Sequence, residues 1–163
     1  MQAFEIDRLD LRILELLQHD AHASNARMAE SVHLSPSQVS RRIQQLEACG
    51  LIGSYVALVN PTTARLDVMA YASVSLERHG EQPSETFHER VRAMPEVLEC
   101  FAVTGEADYL LRIVAPNLAA LSEFMLHRLL RIPGVRSVKS NVVLQEIKRT
   151  TVLPLAHLVN GDR

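Results

Sequence analysis

The sequence predicts an α+β protein in two parts, a three-helix (winged) helix-turn-helix head followed by a βαββαβ module. Three observations predict it. Two short amphipathic segments meet across a tight turn within Ser24–Glu47. The apolar spacing changes from helical to strand-like after Gly50. The second half of the chain repeats itself at an offset of 38 residues, so that Tyr71 corresponds to Tyr109, Phe87 to Met125, Val91 to Leu129, Pro95 to Pro133 and Val97 to Val135.

Residues 6–19 read as the first helix, because Leu9, Ile13, Leu16 and Leu17 fall at i, i+4, i+7 and i+8. Leu11 and Leu14 add apolar surface off that stripe. Asp20–Ser24 breaks the helix, and Met28, Ala29 and Val32 form the inward face of the second. Ser35 is an N-cap whose hydroxyl accepts from a first-turn N–H. Pro36 suits the first helical position, where its missing N–H costs nothing, and Gln38 completes a capping box. The third helix therefore spans 36–48, with Val39, Ile43 and Leu46 as its buried stripe.

At about 100° per residue, the opposite face carries Ser37, Arg41, Gln44 and Gln45, with Gln38 beside them and Arg42 on the flank. No acid interrupts this face before Glu47. Arginine can bridge guanine O6 and N7 and glutamine can pair with adenine N6 and N7, so the face suits a DNA major groove. The same spacing also fits an ordinary helical hairpin with a solvated outer face.

Gly50 reads as a left-handed cap. Leu51–Val59 has strand-like composition and Asn60-Pro61-Thr62-Thr63 is a break. The predicted organisation is a head at 1–52, a connecting strand and linker at 53–67, the repeated module at 68–147 and a tail at 148–163. Within the module the expected order is a strand at Met69–Leu76, a helix at Ser84–Met94 bearing Phe87, Val91 and Met94, and strands at Val97–Thr104 and Tyr109–Ala115. A helix capped by Asn117 follows, bearing Leu118, Leu121, Met125, Leu129 and Ile132, and then a strand at Val135–Glu146. Two strand–helix–Pro-x-Val–strand units give the ferredoxin-like arrangement, with both helices on one face of an antiparallel sheet. Val74, Leu76, Leu98, Cys100, Leu110 and Leu111 leave few polar alternations, so the second face is expected to be apolar and covered by a second copy of the chain.

Size and charge restrict the partners. The 163 residues carry a net charge of −2, and residues 1–52 alone hold five Arg against seven acids. A DNA-binding surface must then come from local segregation, with Arg27, Arg41 and Arg42 on one side and Glu5, Asp7, Asp10 and Glu15 on another. Such a head is expected to act as a dimer. No apolar run is long enough to span a bilayer, and the early acids do not fit a signal peptide, so the cytoplasm is the expected compartment. Cys49 and Cys100 are isolated, and His19 and His22 have no further ligands at metal spacing, so neither a disulfide framework, a metal nor a cofactor is expected.

Taken together, these pieces resemble the leucine-responsive/AsnC family of bacterial and archaeal transcription regulators. The resemblance rests on Leu9-Asp10-Leu11-Arg12-Ile13-Leu14, Leu34-Ser35-Pro36-Ser37 with Arg41-Arg42-Ile43, and Leu46-Glu47-Ala48-Cys49-Gly50-Leu51-Ile52 with Tyr55. It continues through Val103–Leu111, Ile132-Pro133-Gly134-Val135 and Val142-Val143-Leu144, in order along nearly the whole chain. It implies a transcription regulator that binds double-stranded promoter DNA, forms homodimers that assemble further, commonly into octamers, and responds to a small effector, usually an amino acid or derivative. It assigns the third helix to DNA, with Ser37, Arg41, Gln44 and Gln45 for base edges, Gln38 beside them, and Arg42 and Arg27 for phosphate.

The resemblance also places the effector near the Gly-x-x-Asp turn at Gly105–Asp108, at contacts between dimers. Backbone N–H groups around Gly105 could receive a carboxylate, Asp108 an ammonium, and Thr104 could offer a hydroxyl. Glu106 leaves ligand identity open, and Ser140 and Asn141 are facing-strand candidates. Turn geometry alone also selects Gly and Asp at such a hairpin. Low basicity is a departure from the family pattern, since the only lysines are Lys139 and Lys148. An enzyme on the ferredoxin-like module is the competing reading, but no nucleophile–base pair or phosphate-cradling Gly run supports it. A helical adaptor that does not use DNA is the other.

Overall fold

A computed structural model describes residues 6–77 and 83–159; Glu5 lies outside them. The chain divides into two units, Met1–Ala57 with Lys148–Arg163, and Leu58–Ile147.

The first unit holds α1 (Arg8–His19), α2 (Asn25–Val32) and α3 (Pro36–Ala48). Each start is set by a side chain that satisfies an orphan N–H. Asp7 and Asp10 form a reciprocal capping box on α1, Ser24 accepts from Arg27 N on α2, and Ser35 and Gln38 form a second box on α3, with Pro36 at its first position. The turn between α2 and α3 closes on His33, which takes the left-handed conformation at φ 55°. Ile13, Leu14, Met28, Ala29, Val32, Val39 and Leu46 form the core, with Leu9, Ile43 and Ile52 against it.

The strand expected at 51–59 does not form, and residues 49–67 supply no wing. Gly50, at φ 79°, turns the chain back, and the N–H groups of Leu51 and Ile52 both donate to Leu46 O. Ile52 then enters the core, and Tyr55 donates its hydroxyl to Glu47 Oε1 at 3.0 Å. Strand-like composition without a pairing strand left this stretch tied to α3 at its start and exposed beyond it, at Val56, Leu58 and Val59.

The C-terminal tail joins the head through Leu153 and Leu155. Gln18 Nε2 donates to Leu153 O, and Leu153 N donates to Gln18 Oε1, at 3.3 and 2.6 Å. Leu155 packs on the helical core beside this reciprocal pair.

The second unit is a four-stranded antiparallel sheet in the order β2-β3-β1-β4, built from β1 (Val68–Leu76), β2 (Val97–Ala102), β3 (Tyr109–Ala115) and β4 (Val135–Val142). Its helices are α4 (Pro83–Arg92) and α5 (Leu118–Glu123), the latter continuing as a π-helical segment, Phe124–Leu129. This is the βαββαβ module that the repeat predicts. One sheet face supplies Ala70, Ala72, Val74, Leu111 and Ile113 to a core shared with Phe87, Val91, Leu121 and Leu129. The π segment bonds at i+5, as in Leu130 N to Met125 O, and so brings both Phe124 and Leu129 inward. Leu118, one of the apolar residues expected on this helix, is 61% exposed on the first turn of α5.

The second sheet face is more polar than expected. Strand pairing aligns Tyr71, Ser73, Phe101, Leu110, Lys139 and Asn141 along it, and Arg112 makes a bidentate pair with Glu99 at 3.0 and 2.8 Å. Val74, Leu76 and Leu111, read as sources of a second apolar face, belong to the helix-covered core.

Candidate functional site

The capping box fixes where α3 begins and therefore which residues it turns outward. Ser37, Gln38, Arg41, Gln44 and Gln45 are all exposed, within an arc of about 120° at 100° per residue. Two of them also hold the helix start: Gln38 Oε1 accepts from Ser35 N at 2.9 Å, and Ser37 Oγ lies 3.0 Å from Ser35 Oγ. Gln38 therefore presents only its amide nitrogen. Arg41, Gln44 and Gln45 have no side-chain hydrogen bond or ion pair among the described residues, so their donors face solvent.

Arg42 differs from its neighbour. Its Nη1 donates to Asp10 Oδ1 at 2.7 Å and lies 2.8 Å from Asp7 Oδ2. Asp10 is 1% exposed, and its other oxygen accepts from Asp7 N at 3.1 Å. A carboxylate so far from water needs this compensation. Hydrogen bonding to Asp10 raises the Arg42 pKa against the opposing effect of burial, with Asp7 adding to it. Burial would raise the Asp7 carboxyl, but the Asp10 N–H and the Arg42 guanidinium together outweigh it and hold Asp7 below its ordinary 3.8. In this structure the Arg42 guanidinium, expected at phosphate, joins α3 to α1. Arg27 lies 3.5 Å from Asp20 in an exposed pair, which leaves its guanidinium accessible.

In the sheet unit a cavity of about 590 Å³ opens on the face away from the helices. The β2–β3 turn contributes Val103, Thr104, Glu106 and Ala107, and β1 contributes Ser73 and Ser75. Leu110 of β3 and Arg136, Ser137 and Lys139 of β4 complete it. The size falls within the range of small-molecule sites. Gly105 shapes the turn, at a φ of 116° that disfavours any side chain.

Asp108 has a structural task. Its Oδ2 accepts from Leu76 N at 2.7 Å, while its own N–H donates to Val74 O at 3.0 Å, fastening the turn to β1. Of the six effector candidates, the structure brings Thr104 and Glu106 to the cavity, with Gly105 between them in the turn. Ser140 pairs with Ala72 on the helix-covered side and borders a separate groove beside Leu121 and Met125. Asn141 pairs with Tyr71, one pleat beyond Lys139, outside the cavity lining.

Comparison with known proteins supplies the identity. Residues 6–47 match the AsnC-type helix-turn-helix domain, and residues 69–153 match the Lrp/AsnC ligand binding domain. The leucine-responsive regulatory protein of Escherichia coli is 34% identical over 149 residues, covering 91% of each chain. The chain belongs to the Lrp/AsnC family of transcriptional regulators. Two solved structures extend the match to three dimensions. A Neisseria meningitidis transcriptional regulator, solved as a complex with L-Met, is 43% identical with a TM-score of 0.91, covering 94% of this chain and 99% of that one. An AsnC family regulator from Agrobacterium tumefaciens is 37% identical with a TM-score of 0.88, covering 94% and 100%.

For this Lrp/AsnC chain, sequence reasoning missed Ser73, Ser75, Arg136, Ser137 and Lys139 as cavity residues. Lys139 was accessible to it, because alternation from inward Val138 turns Lys139 outward. Arg136 was not. Strict alternation from Val138 would send Arg136 toward the helices, but the register slips between the pairs Ser75–Ser137 and Leu76–Val135. That leaves Arg136 as the extra residue of a bulge, and it lines the cavity on the open face.

Proposed function

We propose that α3 enters the major groove of promoter DNA, with Ser37, Arg41, Gln44 and Gln45 contacting base edges, Gln38 assisting through its amide nitrogen, and Arg27 contacting phosphate. In this reading the protein acts as a homodimer that assembles further, works in the cytoplasm without a catalytic role or cofactor, and takes an amino acid or close relative as effector beside the Gly105–Asp108 turn. The observation that supports it most is the division between the two adjacent arginines. Arg42 is held by two carboxylates, whereas Arg41 stands exposed among glutamines. A single head of low basicity gives modest affinity, so two heads on one DNA site supply what one lacks.

Gel shift on fragments from upstream of the protein's own gene tests the reading. Arg41→Ala is expected to cost about 1–3 kcal/mol of specific binding and to relax the site sequence. Wild-type affinity in that variant would remove α3 from the interface. An effector-dependent change in the shift, sought with a panel of amino acids, tests the second half.

A further inference from the structure

Where the end of α4 meets the end of the π-helical segment, the helix side of the sheet unit carries a groove of about 450 Å³. Both repeats supply the same positions to it, 38 residues apart: Arg90 and Arg128, Ala93 and Arg131, Met94 and Ile132. Three exposed arginines and no acid line it. Met94 and Ile132 also pack on the core, which gives the groove an apolar floor.

Arginines near a helix C-terminus commonly serve its terminal carbonyls. Here only Arg128 has a side-chain partner among the described residues. Its Nη1 donates to Glu96 Oε1, and its guanidinium lies 5.2 Å from the centroid of the Phe124 ring. These contacts fix one cation at the wall and leave Arg90 and Arg131 to solvent. Three guanidiniums beside one carboxylate leave an excess of positive charge, which an anion entering the groove would relieve.

We propose that this groove is a second small-molecule site, separate from the open-face cavity, and that it takes a nucleoside diphosphate or polyphosphate. Arg90 and Arg131 hold the phosphates, since a guanidinium matches phosphate oxygens through two parallel hydrogen bonds. The base lies against Met94 and Ile132. An amino acid, whose ammonium cancels its carboxylate, leaves the excess positive charge in place. A DNA backbone would meet the arginines but leave the apolar floor unfilled. The volume falls within the range of small-molecule sites.

Calorimetric titration of the full-length protein without divalent cations tests this, with ADP, GDP, CDP and UDP as probes. For the tightest binder, the free nucleoside and inorganic pyrophosphate are each expected to bind at least about tenfold more weakly. Arg90→Gln and Arg131→Gln, checked for folding by circular dichroism, should each lose about tenfold for the nucleotide, and Arg112→Gln, on the opposite sheet face, should retain affinity. Pyrophosphate binding as tight as the nucleotide's would reduce the groove to a simple anion site and overturn the proposal. So would wild-type nucleotide affinity in the Arg90→Gln, Arg131→Gln double variant, or failure of all four nucleotides to bind. In a parallel titration with duplex DNA of unrelated sequence, the double variant should match wild type. Loss of duplex affinity there, with no nucleotide bound by wild type, would assign the arginines to the DNA backbone instead.

Discussion

The head and the sheet unit are stabilised by different means. Among the described residues the head's core holds seven buried apolar side chains and the sheet unit's holds fourteen, so the head depends more on polar contacts for its geometry. Two capping boxes, the Arg42–Asp10–Asp7 cluster and the Gln18–Leu153 pair supply them. The sheet unit buries one face under α4 and α5 and can leave charged groups on the other without partners. In the head, then, a charged residue on α3 can belong to the fold, and only its contacts distinguish an architectural arginine from one that faces DNA.

Removing the architectural arginine should break this contrast most severely. Arg42→Ala leaves the Asp10 carboxylate buried without its cation, and is expected to destabilise the head by about 3 kcal/mol. Hydrogen exchange should show faster opening in α1–α3 with the β1–β4 amides unchanged. Equal loss of protection in both units would mean that the cluster is not local to the head.

A smaller effect is expected from the tail. Leu155→Ala removes a half-buried contact with the head core and should cost about 1 kcal/mol. Protection should fall in α1, against which Gln18 holds the segment. If only amides of β4 respond, the tail belongs energetically to the sheet unit.

Much of this was readable in advance because it depends on near neighbours. Ser35, Pro36 and Gln38 lie within one turn, and their geometry follows from short-range sterics and hydrogen bonding; α3 spans the predicted residues 36–48. The 38-residue repeat likewise announced the βαββαβ order, since each unit carries its own strand–helix–strand pattern. Arg42 could not be read the same way, because its partner Asp10 is 32 residues away and only the packing of α1 on α3 brings them together. Leu51–Val59 misled for a related reason: β-branched and aromatic composition marks surface able to pair, but a strand exists only where another meets it. Asp108 and Arg136 depend on details finer still, a side-chain bond to the neighbouring strand and a one-residue slip in pairing.

The smallest prediction concerns acid. The Asp7 pKa lies below its ordinary 3.8 in the folded head, so its contribution is fully present above that value and is lost as pH falls through the lower folded value. Asp7→Asn should make the head's stability less dependent on pH below about 4, measured as the difference between urea midpoints at neutral pH and in acid. An unaltered difference would show that Asp10 alone holds Arg42.

The most direct test compares the neighbouring arginines in one assay. Arg41→Ala and Arg42→Ala are titrated with the same promoter fragment at a temperature where circular dichroism shows both heads folded. Arg41→Ala should bind about ten- to a hundredfold more weakly, while Arg42→Ala should stay within a few-fold of wild type. The opposite order, with Arg42→Ala crippled and Arg41→Ala unaffected, would contradict the assignment of Arg41 to DNA and Arg42 to the fold.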